Sequence, residues 1–97
     1  MTKLEDFKLK LAEGCRLVDR GDGTAVAVDA HCDRRLVLNA AEAALAADFS
    51  GVPLSEIAYK TFVKQGRIPF AKLKGLCRNL ALRDMLEHSA QARDLFA

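Results

Sequence analysis

A helix-start signal at Asn39–Glu42 constrains the fold more than any other sequence feature. It divides the chain into two parts with different hydrophobic periods. Before it, short apolar runs have the character of β-strands; after it, apolar residues recur at helical steps. Asn39 is a favoured N-cap residue, and Glu42 lies three positions later, as a capping box requires. Strands followed by helices predict an α+β fold.

The first part contains three β-prone runs joined by short loops. Gly21-Asp22-Gly23 lies between Cys15–Arg20 and Thr24–Asp29, and glycine permits the positive φ of a tight hairpin turn. After a second loop at 30–34, Arg35–Leu38 is the third run. These runs predict a three-stranded antiparallel meander.

Three helices are expected after the boundary. The alanine-rich run Ala40–Phe49 follows the capping box, and Ser50-Gly51 ends it. A second helix begins near Pro53, whose missing N–H costs nothing in a first turn, and ends at Gln65-Gly66. A third runs from about Pro69 to Leu80.

Apolar stripes predict which side of the second and third helices faces the core. On the second helix the apolar face consists of Leu54, Ile57, Ala58, Phe62 and Thr61. On the third helix the stripe consists of Phe70, Leu73, Cys77 and Leu80. The stripe on the third helix is expected to face the core, since amphipathic helices usually bury their apolar side; a ligand-contacting face is the alternative.

The two ends are expected to flank a domain at 15–86. Residues 1–14 form an N-terminal extension that suits a short helix ending at Gly14, although the alternation Phe7-Leu9-Leu11 equally suits a strand. Residues 87–97 form a tail, which either docks on the domain or leads into a further one.

Catalytic and metal-binding signatures are not found in the sequence. The three cysteines are widely spaced, and neither His31 nor His88 has a partner at a metal-ligand spacing. The glycines form no phosphate-binding motif. We therefore expect no enzyme activity, no cofactor and no metal, and interpret Cys15 and Cys77 as small core residues.

The 97-residue length fits one domain. The charge and the N-terminal sequence limit where the protein is expected in the cell and what it is expected to bind. No apolar run approaches the roughly 18–20 residues of a membrane span, and the acids Glu5 and Asp6 lie where a secretory signal would be apolar. We therefore expect a cytoplasmic protein without membrane contact. The net charge of +2 is too small to indicate nucleic-acid binding by itself.

Positive charge is concentrated in the second part of the chain. Residues 1–52 carry seven basic and nine acidic side chains, whereas 53–97 carry eight basic and four acidic ones. The basic set is Lys60, Lys64, Arg67, Lys72, Lys74, Arg78, Arg83 and Arg93. This surface is either a solvated helix face or a face for an acidic peptide, an acidic protein or a phosphate backbone.

Short motifs between Cys15 and Leu86 resemble the PqqD-like domain, the recognition element for precursor peptides of ribosomally made, modified natural products. The motifs are Arg35-Leu36-Val37-Leu38-Asn39, Ala44-Leu45, Phe49-Ser50-Gly51, Leu54-Ser55-Glu56-Ile57 and the stripe ending at Leu80. Two features depart from the family pattern: Ser50 replaces the usual aspartate before the glycine, and the stretch 82–86 has no glycine.

The resemblance implies a winged-helix-like fold and a non-catalytic adaptor function. In the family, a leader peptide adds as a strand to the edge of the third strand and packs against the third helix. Carried over, the peptide-binding residues are Arg34, Arg35, Leu36, Val37 and Leu38 on the strand, and Lys72, Leu76, Asn79 and Arg83 as outward positions on the helix. The basic bias favours an acidic peptide or protein partner.

Two alternatives remain open from the sequence. Three helices and a basic second part also suit a DNA-binding winged-helix regulator, although its hairpin would be nearly neutral. A dimerisation or regulatory domain at the N-terminus of a larger protein is the other, since an exposed edge strand can pair with its own copy.

Overall fold

The structure, a computed structural model, describes residues 3–31 and 33–97. It confirms the α+β class. After a 3-10 turn at Leu4–Asp6, the described elements are β1 Lys8–Lys10, β2 Cys15–Asp19, β3 Ala25–Asp29, β4 Arg35–Leu38, α1 Ala40–Ala46, β5 Ser50–Pro53, α2 Leu54–Gln65, α3 Phe70–Leu82 and α4 Ser89–Leu95. The winged-helix-like arrangement stays a prediction.

The predicted meander is confirmed, with antiparallel strands in the order β2-β3-β4. Gly21 and Gly23 have φ of 84° and 89°, a region that glycine enters at little cost. The Asp22 carboxylate accepts hydrogen bonds from the hydroxyl and the backbone N–H of Thr24. These bonds, the hydroxyl bond first, lower the pKa of Asp22. Local side-chain bonds therefore hold the β2–β3 turn.

The sheet has two unlike faces. On the covered face, Ala27 and Leu38 belong to the main core, and Ala25 is also buried. On the opposite face, which we call the outer face, Val18 and Val37 are exposed. Among the residues that the structure describes, helices therefore cover one side of the meander and leave the outer face open.

The N-terminal segment forms part of the core. β1 pairs antiparallel with β5, and Phe7 and Leu9 are buried. Of the two expectations for this segment, the strand is correct; the helix is limited to the short 3-10 turn. β5 was not predicted, because Ser50-Gly51 was expected only to end α1.

The capping box at the start of α1 is confirmed. The Asn39 side chain accepts from the Glu42 N–H at 2.9 Å, and the Glu42 carboxylate accepts from the Asn39 N–H at 3.1 Å. The helix ends at Ala46 rather than Phe49, because the chain then turns into β5.

The expected face of α2 is correct except at Phe62. Leu54, Ile57, Ala58 and Thr61 are buried, and the Thr61 hydroxyl donates to the Ile57 carbonyl at 2.9 Å. Phe62, by contrast, is 50% exposed. The buried side chains recur at steps of three, one and three, and Phe62, four positions after Ala58, lies about 40° beyond the edge of this stripe.

The stripe of α3 is correct except at its first residue. Leu73, Cys77 and Leu80 are buried together with Leu76 and Ala81, whereas Phe70 is 41% exposed.

The last residues pack onto this core. α4 lies against α3, and Phe96 is completely buried. Its ring meets that of Phe7 edge-on, with centroids 5.8 Å apart and planes at 86°. The segments 3–14 and 87–97 therefore meet inside the molecule.

Candidate functional site

The open edge of β4 is the first feature of the predicted peptide site. β4 has β3 on one side and no described strand on the other. The Asp29 N–H donates to the Arg34 carbonyl at 3.2 Å. Backbone groups in an antiparallel pair alternate in direction, so Leu36 also faces β3, whereas Arg35 and Val37 direct their N–H and C=O groups outwards.

Side chains on the outer face form two rows across the sheet. Val18, Val26 and Val37 are in register in one row. Arg16, Val28 and Arg35 are in register in the other, so a cation stands at each end of it. A shallow depression runs over Arg16, Val18, Val26, Val28 and Arg35, and Val37 lies beside it.

Arg34 joins the start of β4 to the end of α3. Its Nη1 donates to the Arg83 carbonyl oxygen at 3.1 Å and lies 3.7 Å from the Asp84 carboxylate. Arg93 of α4 donates to the same carboxylate at 2.6 Å and to the Ala81 carbonyl at 3.0 Å. Asp84 therefore ties β4 and α4 to one end of α3.

Three of the four predicted α3 residues lie outside the core, and the fourth does not. Lys72, Asn79 and Arg83 are exposed, and Arg83 Nη1 donates to the Asn79 carbonyl at 3.2 Å. The expectation that Leu76 faces outwards is wrong, because its side chain is completely buried. Lys72 lies about 16 Å along the helix axis from Arg83, so the structure brings only the C-terminal turn of α3 to the start of β4.

The five predicted strand residues divide by the direction of their side chains. Arg35 and Val37 are exposed on the outer face, with Val37 61% exposed. Leu36 is half-buried and Leu38 is completely buried on the covered face. The backbone of Leu38 also faces β3, so neither its side chain nor its backbone lies at the open edge.

A second exposed surface was not predicted. Tyr59, Phe62 and Val63 face solvent on α2, and Ile68 and Phe70 are exposed beside the α2–α3 link. This surface lies within a stretch, 57–83, that has seven basic residues and no acid. The basic bias could have indicated this surface, but two of its apolar residues, Phe62 and Phe70, were assigned to the core.

In the described residues, neither metal binding nor a reactive Cys77 thiolate is supported. No group of three or more His, Cys, Asp or Glu side chains there is placed to hold a metal ion. Burial raises the pKa of the Cys77 thiol to about 12. The reactive thiolate is therefore suppressed at neutral pH. The loop predicted at 30–34 includes Cys32, which lies outside the described residues.

Within residues 3–31 and 33–97, no helix is long and apolar enough to cross a membrane. No family model matches the chain, and no curated protein or solved structure matches it. The resemblance to the PqqD-like domain therefore stays a prediction.

Proposed function

We propose that the protein is a non-catalytic adaptor that binds a partner segment by strand addition to β4. One observation carries the proposal: Arg35 and Val37 direct their backbone hydrogen-bonding groups away from β3 at an edge with no described partner strand. Main-chain bonds to such an edge supply affinity, and side-chain contacts supply selectivity.

The surroundings of the edge support a selected partner. Arg34 and Arg35 lie at the start of β4, and charged residues at a strand edge discourage indiscriminate pairing, including pairing with a second copy. The Arg34 contact with Arg83 fixes the end of α3 beside this strand. Arg35, whose side chain is exposed, favours an acidic partner segment, whereas Arg34 already has Asp84 as a counter-charge.

A proline at position 37 tests strand addition. Val37→Pro removes an N–H that points away from β3, so the meander should persist, as prolines are tolerated at such edge positions. We expect acidic peptides of about ten residues to bind at least tenfold more weakly, because a main-chain bond is lost and the ring blocks the edge. Amide chemical-shift titration measures both the affinity and the site.

Val37→Thr is the matched control, because it keeps the N–H and the β-branched shape. It should bind the same peptides nearly as well as the native chain. Equal binding by native protein and Val37→Pro, or peptide-induced shifts that avoid 34–38, would contradict strand addition.

A DNA-binding function is a second candidate, supported by a different surface. A four-residue link, 66–69, joins α2 to α3, as in helix-turn-helix units. Lys72, Arg78 and Asn79 are exposed on α3, and Arg and Asn are side chains that read base edges. The acid-free stretch 57–83 would meet the phosphate backbone.

The two candidates require different residues. If DNA is the ligand, log K for a duplex should fall with log salt at a slope of about −4, for four to five phosphate contacts. Replacing Lys72 and Arg78 together by alanine should weaken duplex binding about tenfold at low salt. Val37→Pro should leave the affinity for the duplex unchanged. Fluorescence anisotropy measures this, and no duplex binding at low salt would remove the candidate.

A further inference from the structure

The direction of the backbone groups of β4 fixes where the side chains of an added strand would lie. In an antiparallel pair, residues that exchange two hydrogen bonds stand directly opposite each other and project to the same face. The residues opposite Arg35 and Val37 would therefore project from the outer face. The residue between them would project to the covered side, beside Leu36.

The place opposite Val37 is apolar. It continues the row of Val18, Val26 and Val37, in which Val26 is half-buried and the other two are exposed. An apolar β-branched side chain there would cover Val37, and cross-strand pairs of this kind stabilise sheets.

The place opposite Arg35 is cationic. It continues the row of Arg16, Val28 and Arg35, and Arg34 precedes it in the chain. Arg35 lies 3.7 Å from the carboxylate of Asp33, and the two side chains are 72% and 97% exposed. Such an exposed pair is weak, so Arg35 remains available to an incoming carboxylate.

We infer that the segment bound by β4 is antiparallel to it and carries, from N to C, an apolar β-branched residue, any residue and an acidic residue. This inference rests on the proposed function, because it names the partner chemistry of the same edge. The apolar residue stands opposite Val37 and the acidic residue opposite Arg35. A shift by one residue would turn both side chains to the covered side, so register is part of the specificity.

Three peptides of equal length test the pattern. The first contains valine-threonine-aspartate within a threonine-rich frame, the second replaces the aspartate by lysine, and the third reverses the order to aspartate-threonine-valine. We expect the first to bind about fivefold more tightly than each of the others, in line with cross-strand charge pairs. Amide shifts of Arg35 and Val37 report the site and the affinity.

Exchanging the charge on the protein provides the control. Arg35→Glu should reverse the order, so that the lysine peptide binds better than the aspartate peptide. Asp33→Asn removes the competing carboxylate and leaves the backbone of the edge unchanged. The aspartate peptide should then bind about twofold more tightly.

The outcomes separate the inference from the proposed function. Equal affinity of the three peptides, with shifts at Arg35 and Val37, would overturn the pattern and leave strand addition standing. A preference for the reversed peptide would overturn the antiparallel order alone. No shift in β4 with any peptide would overturn both.

Discussion

A Phe96→Ala variant should lose about 3–5 kcal/mol of unfolding free energy, the usual cost of removing a buried aromatic ring. Phe96 is completely buried in the same core as Leu9, Leu76 and Met85. Domains of this size are commonly stable by about 5–15 kcal/mol, so the variant should lose a large part of its unfolding free energy. Urea denaturation followed by circular dichroism measures the loss.

The edge-on contact with Phe7 gives this prediction a second measurement. The rings are 5.8 Å apart, a geometry worth about 0.5–1.5 kcal/mol beyond area burial. The double variant Phe7→Ala/Phe96→Ala should therefore lose less stability than the two single losses together. Strict additivity would contradict direct contact between the two ends of the chain.

Leu82→Ala is the matched control for Phe96→Ala. Leu82 is also a large apolar residue at the end of a helix, but it is 60% exposed. Its replacement should change the unfolding free energy by less than about 0.5 kcal/mol. If Phe96→Ala lowers the unfolding free energy no more than Leu82→Ala does, the last residues do not pack against the core.

Features encoded within a few residues were predictable from sequence. The Gly21-Asp22-Gly23 turn and the Asn39–Glu42 capping box are bonded over two or three residues, and both are confirmed. Such signals do not depend on the rest of the fold. The position of β4 at a sheet edge followed from the same local reasoning, because the last strand of a meander has one neighbour.

Long-range pairing was not predictable in the same way. β5 spans only Ser50–Pro53 and includes a glycine and a proline, residues depleted in strands. It exists because β1, about forty residues earlier in the chain, supplies its partner. The alternation Phe7-Leu9-Leu11 is a local signal for a strand, but no local feature indicates that this strand pairs with β5 and enters the core.

The facing of apolar residues on helices was only partly predictable. α2 has apolar side chains on two sides, so its period identifies the buried face but does not explain the exposed Tyr59, Phe62 and Val63. On α3, the family resemblance placed Leu76 outwards, whereas the buried stripe includes it. The outward direction of the backbone at Arg35 and Val37 required the hydrogen bond between Asp29 and Arg34.

The stability of the folded chain should fall steeply with pH in alkaline solution because of Cys77. Burial raises its pKa from an ordinary value of 9.0 to about 12, so the native thiol keeps a proton that the unfolded chain releases. The native state then binds more protons, and the unfolding free energy falls as pH rises above about 9. The limiting slope is about 1.4 kcal/mol per pH unit, which amounts to about 4 kcal/mol by pH 12.

Other groups titrate in this range, so the measurement compares the native chain with Cys77→Ala. The variant lacks the thiol, and its small loss of packing does not depend on pH. Between pH 8 and 10.5, the stability of the native chain should therefore fall by about 2 kcal/mol relative to the variant, as followed by urea denaturation. Parallel stability curves would mean that the Cys77 thiolate forms in the folded protein, and therefore that water reaches the buried side of α3.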